Sequence, residues 1–520
     1  MGTLAVYDTV GIQDYIFSSN KLAENVGASK LVADIFGETL CEVIMDVTGI
    51  TDKSILDWRN GAELNAELSA EIIYQGGGNA YVAFRDKDDQ KSDDTFQKVT
   101  KAFLTEVSKQ ARGVGIAVAA IETSFGDTYK SDFEKLNKRL TLVKGGFNVP
   151  VFAGSQPITK QSGRTGLPTI VKVKDEDKDE YLSQSQKLKR DRYAAYKKET
   201  ETYIDDFDDL TFEKGTDSLI AIIHADGNNM GSRIKTFMEQ EKFNNYSEAV
   251  PNIRKLSTSI DKCYKEARER AIDAFKKKYA EYIADLEKKP SNKELYEAPP
   301  LLEFIGDGDD TTLVIGGRFA LDFAACLLRE IENTKEELRP FKGVTPTACA
   351  GVVIFHSHYP FSEAYKLVEA LCGNAKKPSR DNEGSYIDFH LHQSGGVSDL
   401  SVLREKLYTV DGKSVLRRPW RVSAGLEDKL PNFNWFESNC ALLSDEERFP
   451  RNKVKAIRNA IGAGEKAAKL AENTLRGEKL PKLSVFADEK ISEYAPVFDI
   501  LEMLDVYKNL IGKGDAGNAE

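Results

Sequence analysis

Three aspartates stand within four positions of FIGDGDDTTLVIGG, residues 304–317: Asp307, Asp309 and Asp310. Apolar runs flank them, so the stretch reads as two strands joined by a tight turn. Strands disfavour Asp, and crowded like charges repel. A second acidic element, AIIHADGNNMG at 221–231, runs an apolar strand into Asp226 and then into a Gly- and Asn-rich turn that opens a helix. Carboxylates that converge need a counter-charge, and a divalent cation supplies one. Mg2+, with Mn2+ as its substitute, takes a few carboxylates, water and phosphate oxygens. Two such ions about 4 Å apart clamp the attacking and leaving oxygens of an in-line phosphoryl displacement. Asp226, Asp309 and Asp310 are the expected carboxylate ligands. The turn through Gly227, Asn228, Asn229 and Gly231 sets backbone N–H groups at a helix N-terminus, where triphosphate oxygens would lie. A plain polar turn is the competing reading of GDGDD alone; Asp226 on the matching strand favours the metal.

The elements around these residues must bring two chain segments together. Strand patterns at Ser218–His224, Leu301–Ile305, Thr311–Ile315 and Thr345–Ile354 alternate with helical patterns at Ile253–Tyr282, Ala320–Asn333 and 361–372, and a further strand follows at Tyr386–Leu391. The order β-α-β-β-α-β is ferredoxin-like, which makes the first strand a neighbour of the hairpin. The same order precedes it: a strand at Thr3–Tyr7, a helix over Ser29–Asp46, strands at Glu71–Tyr74 and Tyr81–Phe84, a helix over Thr95–Gln110 and a strand at Gly115–Glu122. EIIYQGGGNAYVAF (71–84) lies over LEFIGDGDDTTLVI (302–315) without a gap. Gly77 then faces Gly308, Gly78 and Asn79 face Asp309 and Asp310, and Asp8 faces Asp226. The expected fold is α+β: two ferredoxin-like, palm-type domains, the first degenerate in its carboxylates, plus a mainly helical C-terminal domain. The expected boundaries are 1–125, a connector and charged linker at 126–215, the active copy at 216–395, and 396–520. Within the linker, the charged run 172–214 reads as a solvated helix or loop.

Residues 218–395 resemble the palm (GGDD-type) domain of the polymerase/cyclase large subunit of type III CRISPR effector complexes, and more distantly the GGDEF diguanylate cyclases. ADGNNMG, GDGDD followed by TTLVIGG, and AGVVIFHSHYPFSEAYKLVEALCGNAKK ahead of SYIDFHL carry the resemblance. VGIQDYIFSSNKLAENVGASKLV and GGGNAYVAF are similar to the first, inactive palm of that family. The resemblance implies joining of ATP, or another NTP, by 3′-hydroxyl attack on an α-phosphate, with two metal ions and a cyclic oligonucleotide as product. Carried over by position, Asp226 and Asp309 hold metal, Asp310 is a ligand or supports one, and the Gly227 carbonyl is a backbone ligand. Gly308 lets phosphate approach, and Lys376 meets a phosphate. Asn228, Asn229, Gly231 and Asp307 complete the expected nucleotide site. Other effector subunits and guide or target RNA are the implied partners, in antiviral defence, with a standalone relative lacking the HD nuclease as the other form the chain could take. The chain departs from the pattern at Asn228, where the family has a second Asp, and at Asp307, where GGDD begins with Gly. The family's HD nuclease and the zinc cysteines between the palms have no counterpart in this sequence. A catalytically inactive palm scaffold that binds nucleotide or partner subunits is therefore the alternative.

Composition sets outer limits. A chain of 520 residues, 41% hydrophobic and 30% charged, reads as an ordinary globular protein of about three to five domains. Its net charge of −11 argues against electrostatically driven, free-standing nucleic-acid binding. No apolar run is long enough to cross a membrane, no secretory signal is recognisable, and six scattered cysteines without a CxxC pair fit a reducing cytoplasm. The oligomeric state stays open; a head-to-head pair of copies would face two nucleotides toward each other.

Overall fold

The computed structural model describes all residues except 88–89, 147–157, 176–177, 201, 213–217, 241–242, 288–297, 335–337, 339–340, 342–344, 394–398, 424–431, 476–477, 482–489 and 513–520. The chain divides into two compact units. One comprises Met1–Asp206, Gly231–Lys262 and Pro340–Val344; the other comprises Phe207–Met230, Cys263–Arg339 and Thr345–Glu520.

The first unit is built on a four-stranded sheet. Its order is Ala70–Gly76, Asn79–Arg85, Gly2–Val10, Gly115–Thr123, with every neighbouring pair antiparallel. This is the ferredoxin-like order. Leu4, Ala5, Val6 and Tyr7 are fully buried, because the central strand has packed side chains on both faces. The helix expected over 29–46 is instead Leu22–Asp34, a π-helical turn at Ile35–Thr39, and Leu40–Thr48. The charged run corrects the expectation of a solvated segment. It forms a hairpin, Thr169–Asp175 with Lys178–Ser183, and a helix, Gln184–Thr200, that buries Gln186, Lys189 and Tyr193. Within the connector expected at 126–215, residues 147–157 lie outside the described residues.

The second unit repeats the arrangement and extends it. Its sheet runs Trp420–Arg421, Tyr386–Leu391, Ala348–His356, Leu219–Gly227, Asp310–Gly316, Leu301–Asp307. The last four are the ferredoxin-like core. Tyr386–Leu391 adds to it in parallel and Trp420–Arg421 caps that edge. Beyond 396 the chain is mainly helical, with helices at Leu400–Tyr408, Phe433–Leu443, Arg451–Ile461, Glu465–Glu472 and Ala495–Met503. All six cysteines are free and buried.

The two sheets share one register. Asp8 pairs with Asn79 on one side and Ala117 on the other; Asp226 pairs with Asp310 and Cys349. From Ala117 and Cys349 the two copies run in step to Tyr129 and Phe361, where the next helices begin. They stay in step to Lys144 and Lys376. Lys144 Nζ lies 2.6 Å from Asp8 Oδ1, and Lys376 Nζ bonds Asp226 Oδ2. The duplication therefore preserves an Asp–Lys pair and removes the two hairpin carboxylates.

The hairpin turns explain how those carboxylates differ. Gly77 and Gly78 both have positive φ, at 60° and 77°, the pattern of a type I′ turn. In the second copy only Gly308 does, at 56°, the pattern of type II′. Only the second turn leaves its next position open to an L-residue, and Asp309 fills it. A side chain at Gly78 would also meet Ile12 Cδ1 at 2.5 Å and Thr9 Oγ1 at 2.6 Å.

Candidate active site

Asp226 ends a strand whose residues Ile220, Ala221, Ile222 and Ile223 are fully buried. That burial fixes the strand, so Asp226 emerges at its tip beside Asp310 on the neighbouring strand. Asp309 sits one residue back in the turn. Its carbonyl accepts from the Gly227 N–H at 3.2 Å. Its side chain lies over Gly227, where a Cβ would come within 2.5 Å of Oδ2 and 2.8 Å of the Asp309 Cβ. Gly227 is thus glycine because Asp309 occupies the space above it. Replacing Gly227 with alanine should move Asp309 and cost about 1–3 kcal/mol, the usual range for overpacking. A thermal melt beside a product assay checks this; unchanged values in both would show that the turn yields freely.

Lys376 reaches the same point from the far side. Helix Phe361–Asp381 buries Ala364, Tyr365, Val368, Leu371, Cys372 and Ala375 on one stripe, and Lys376 follows Cys372 by one helical turn. The helix rests directly on the sheet at Gly351, where a Cβ would lie 2.2 Å from the Val368 carbonyl. This contact sets the height of the helix. Lys376 Nζ then meets Asp226 Oδ2, and the Gly227 carbonyl at 3.3 Å. Sequence reading gave Lys376 a phosphate partner; here it holds two of the expected metal-binding oxygens. Burial alone would lower its pKa, but Asp226 outweighs burial and raises it.

Four carboxylates, those of Asp226, Asp307, Asp309 and Asp310, share this end of the sheet with the Lys376 ammonium. Asp310 has 40% of its side chain exposed, yet its Oδ1 is enclosed and accepts no hydrogen bond. His224 Nδ1 lies 3.5 Å from that oxygen and 3.0 Å from Thr312 Oγ1. Burial first, then the charges of Asp226, Asp309 and Asp307, push the Asp310 carboxyl up to about 8. Asp309 is raised by burial and by Asp226. A carboxyl raised in the folded chain binds its proton more tightly there, so its stabilising contribution is full below the unfolded value near 4 and is lost as pH rises through about 8. In EDTA, Asp310→Asn should therefore gain on the wild type in melting temperature from about pH 5 to about pH 8.5. A gap that stays constant across that range would count against the shift.

The remaining expected residues are placed as follows. Asn228 is 2% exposed; its amide donates to the Gly384 carbonyl at 3.0 Å and its N–H to the Thr347 carbonyl at 2.8 Å. Its amide nitrogen is spent on the fold, whereas its buried Oδ1 has no hydrogen-bond partner among the described residues. Asn229 is exposed with φ +54°, a left-handed conformation that Asn tolerates. Asp307 is exposed and pairs with Asp310 across the hairpin. Gly308 has open space around it. Gly231 starts the segment counted with the other compact unit and has no near neighbour that would demand glycine. The sequence reading missed Arg268. From the long helix Tyr246–Glu287 it bonds Glu303 at 2.7 Å and the Gly306 carbonyl at 3.3 Å. It braces the outer hairpin strand just before the acidic turn.

The donors are all oxygen, which suits a hard divalent cation, and the enclosed Oδ1 of Asp310 wants a positive partner. Among the described residues no three His, Cys, Asp or Glu side chains converge at metal-ligand spacing. The side chains of the carboxylate set would have to close on an ion.

Residues 219–383 match the family described as Cas10/Cmr2, second palm domain. A comparison with curated proteins found no match. Solved structures with a similar fold include the Csm1-Csm4 cassette in complex with cA4, at 12% identity and TM-score 0.52, and in complex with pppApA, at 13% and 0.54. The apo cassette matches at 14% and 0.51. Each alignment covers 97% of this chain and 69% of the other. Among the described residues no helix is long and apolar enough to cross a membrane. Residues 219–383 therefore match a second palm domain of the Cas10/Cmr2 type, and the chain around them shares its fold with a chain of the Csm1-Csm4 cassette.

Proposed function

We propose that this chain is a metal-dependent nucleotidyltransferase that converts ATP, or another NTP, into a cyclic oligonucleotide messenger. The observation that carries the reading is that two paired strands and their turn bring Asp226, Asp309, Asp310 and the Gly227 carbonyl to one end of the sheet, inside the segment matched by the palm family. Each coupling forms a bond from a 3′-oxygen to an α-phosphorus and releases pyrophosphate and a proton; a last coupling closes the ring. Asp226, Asp309 and Asp310, with the Gly227 carbonyl, would hold two Mg2+ or Mn2+ ions. Bound there, such ions would neutralise phosphate charge and orient the attacking and leaving oxygens. Lys376, which now holds Asp226 and the Gly227 carbonyl, would be released by bound ions to pair with a phosphate oxygen. Gly308 leaves room over the turn for the triphosphate, and Asn229 borders it.

Incubating the purified chain with each NTP and with mixtures, in Mg2+ and then Mn2+, and reading products by mass spectrometry tests this. The fold likeness to a chain of the Csm1-Csm4 cassette supports a second part of the proposal: the chain works in a type III effector beside a Csm4-like subunit and guide or target RNA, in the cytoplasm, in antiviral defence. Co-expression with such a subunit, followed by size-exclusion chromatography, tests that part.

A scaffold without turnover is the second reading. It is favoured by the inward-turned Asn228 and by the lack, among the described residues, of a preassembled ligand cluster. Stoichiometric NTP binding with no product, with and without RNA and partner subunits, would establish it.

A further inference from the structure

The first unit contains a cavity of about 500 Å³ whose lining includes Ser18, Ser19, Arg164 and Lys189 together with the acids Asp14 and Glu24. Lys189 is 5% exposed. Its ammonium donates to the Tyr15 carbonyl at 2.6 Å and to Ser18 Oγ at 3.2 Å, and it lies 4.0 Å from the Tyr15 ring centroid. These partners are neutral, and Lys189 makes no ion pair among the described residues. Two of its three N–H groups are accepted, and among the described residues the charge has no counter-ion within ion-pair distance, Glu24 acting on it only from farther away. The nearest buried acid, Glu24, is already held by Arg190 at 3.1 Å, Arg164 at 3.4 Å and Gln186 at 3.3 Å.

An ammonium withdrawn from water without an anion is costly, and a side chain as long as lysine normally escapes by reaching solvent. Lys189 has little freedom to do so. Helix Gln184–Thr200 lies so close to helix Leu22–Asp34 that a Cβ on Gly27 would fall 1.7 Å from the Lys189 carbonyl oxygen. The packing therefore pins the Lys189 backbone, and burial holds its pKa down to about 8, still largely protonated at neutral pH. The Ser18 hydroxyl meets the ammonium and Ser19 also lines the cavity, a donor set that suits a tetrahedral oxyanion, for which lysine acts as a point charge. A carboxylate would call for a guanidinium fork, and the one available, on Arg164, is engaged by Glu24 and Glu180. The volume is in the range of small-molecule sites.

We propose that this cavity binds a phosphate-bearing small molecule, with Lys189 as the counter-ion of the phosphate and the Ser18 and Ser19 hydroxyls as its hydrogen-bond partners. This rests on the first unit alone and stands whether or not the acidic hairpin is catalytic.

Calorimetric titration of the full chain in EDTA, with inorganic phosphate, AMP and adenosine as separate probes, tests it. EDTA removes metal-dependent binding at the hairpin. Phosphate or AMP should bind and adenosine should not; AMP binding more tightly than phosphate would identify a nucleotide, and equal affinity a free phosphate. Lys189→Met should weaken binding at least about tenfold while leaving the melting temperature unchanged or higher, because an unpaired charge is gone. Ser18→Leu, an exposed position at the cavity, should also block the probe and serves if Lys189→Met fails to fold. No binding by either phosphate-bearing probe at millimolar concentration, or equal binding by the wild type and a folded variant, overturns the proposal.

Discussion

Replacing Asp309 and Asp310 together with asparagine should abolish oligonucleotide synthesis, a loss of at least about 10²-fold, the scale on which enzymes lose activity when a group stabilising the transition state is removed. Asparagine keeps the shape and some hydrogen bonding of each side chain and removes only the charge. The two aspartates stand against Asp226 at the end of paired strands, and both carboxyls are raised by burial and mutual repulsion. That repulsion is an expense of the metal-free chain, and the variant should shed it. The double variant should therefore melt at or above the wild-type temperature in EDTA, and Mg2+ should raise the melting temperature of the wild type alone. Mass spectrometry of NTP reactions and thermal melts give the two readouts. Full synthesis by a well-folded double variant would remove the hairpin from the chemistry. A silent wild type that still binds NTP would move the conclusion to the scaffold.

The hairpin and its neighbour were legible in the sequence because they depend on local pattern. Apolar alternation fixes the strands, the ferredoxin-like order makes them adjacent, and the gapless overlay of 71–84 on 302–315 predicts the register in which Asp8 meets Asn79 and Asp226 meets Asp310. What was not legible depends on distance along the chain. Lys376 lies on the helix after the fourth core strand, and nothing local says that Gly351 lets that helix settle until the ammonium meets Asp226. The signal existed in the repeat itself, since Lys144 stands in step with Lys376 and pairs with Asp8. Arg268 was hidden for the same reason: a charged residue on a charged helix looks solvated until Glu303 and Gly306 are known to face it. The run 172–214 misled because its composition is polar while its packing is not. Gly27 removes a side chain where helix Gln184–Thr200 must pass, and Lys189 is buried as a result.

Asn228 is where pattern and packing disagree most, and it gives the second large expected effect. The resemblance suggests that aspartate belongs there, so Asn228→Asp would look like a restoration. The structure argues otherwise. The Asn228 amide donates to the Gly384 carbonyl, a group that can only accept, at 2% exposure. Aspartate has no N–H to give in its ionised form. The exchange would set a buried carboxylate against a carbonyl oxygen and leave both without a donor, at a cost of about 1–3 kcal/mol or more for the charged group. It would also add negative charge to a strand end that already carries Asp226, Asp309 and Asp310. Asn228→Asp should therefore lower the melting temperature in EDTA by several degrees, by more at pH 8 than at pH 5, because a protonated carboxyl could still donate to Gly384. Synthesis should fall as the loop bearing Gly227 loses its anchor. Asn228→Ser, which keeps a donor without the charge, should lose less in both measurements. A variant Asn228→Asp that melts like the wild type and synthesises faster would show that the carboxylate turns out of the Gly384 pocket to a metal, and that the loop, not the amide, decides where this side chain points.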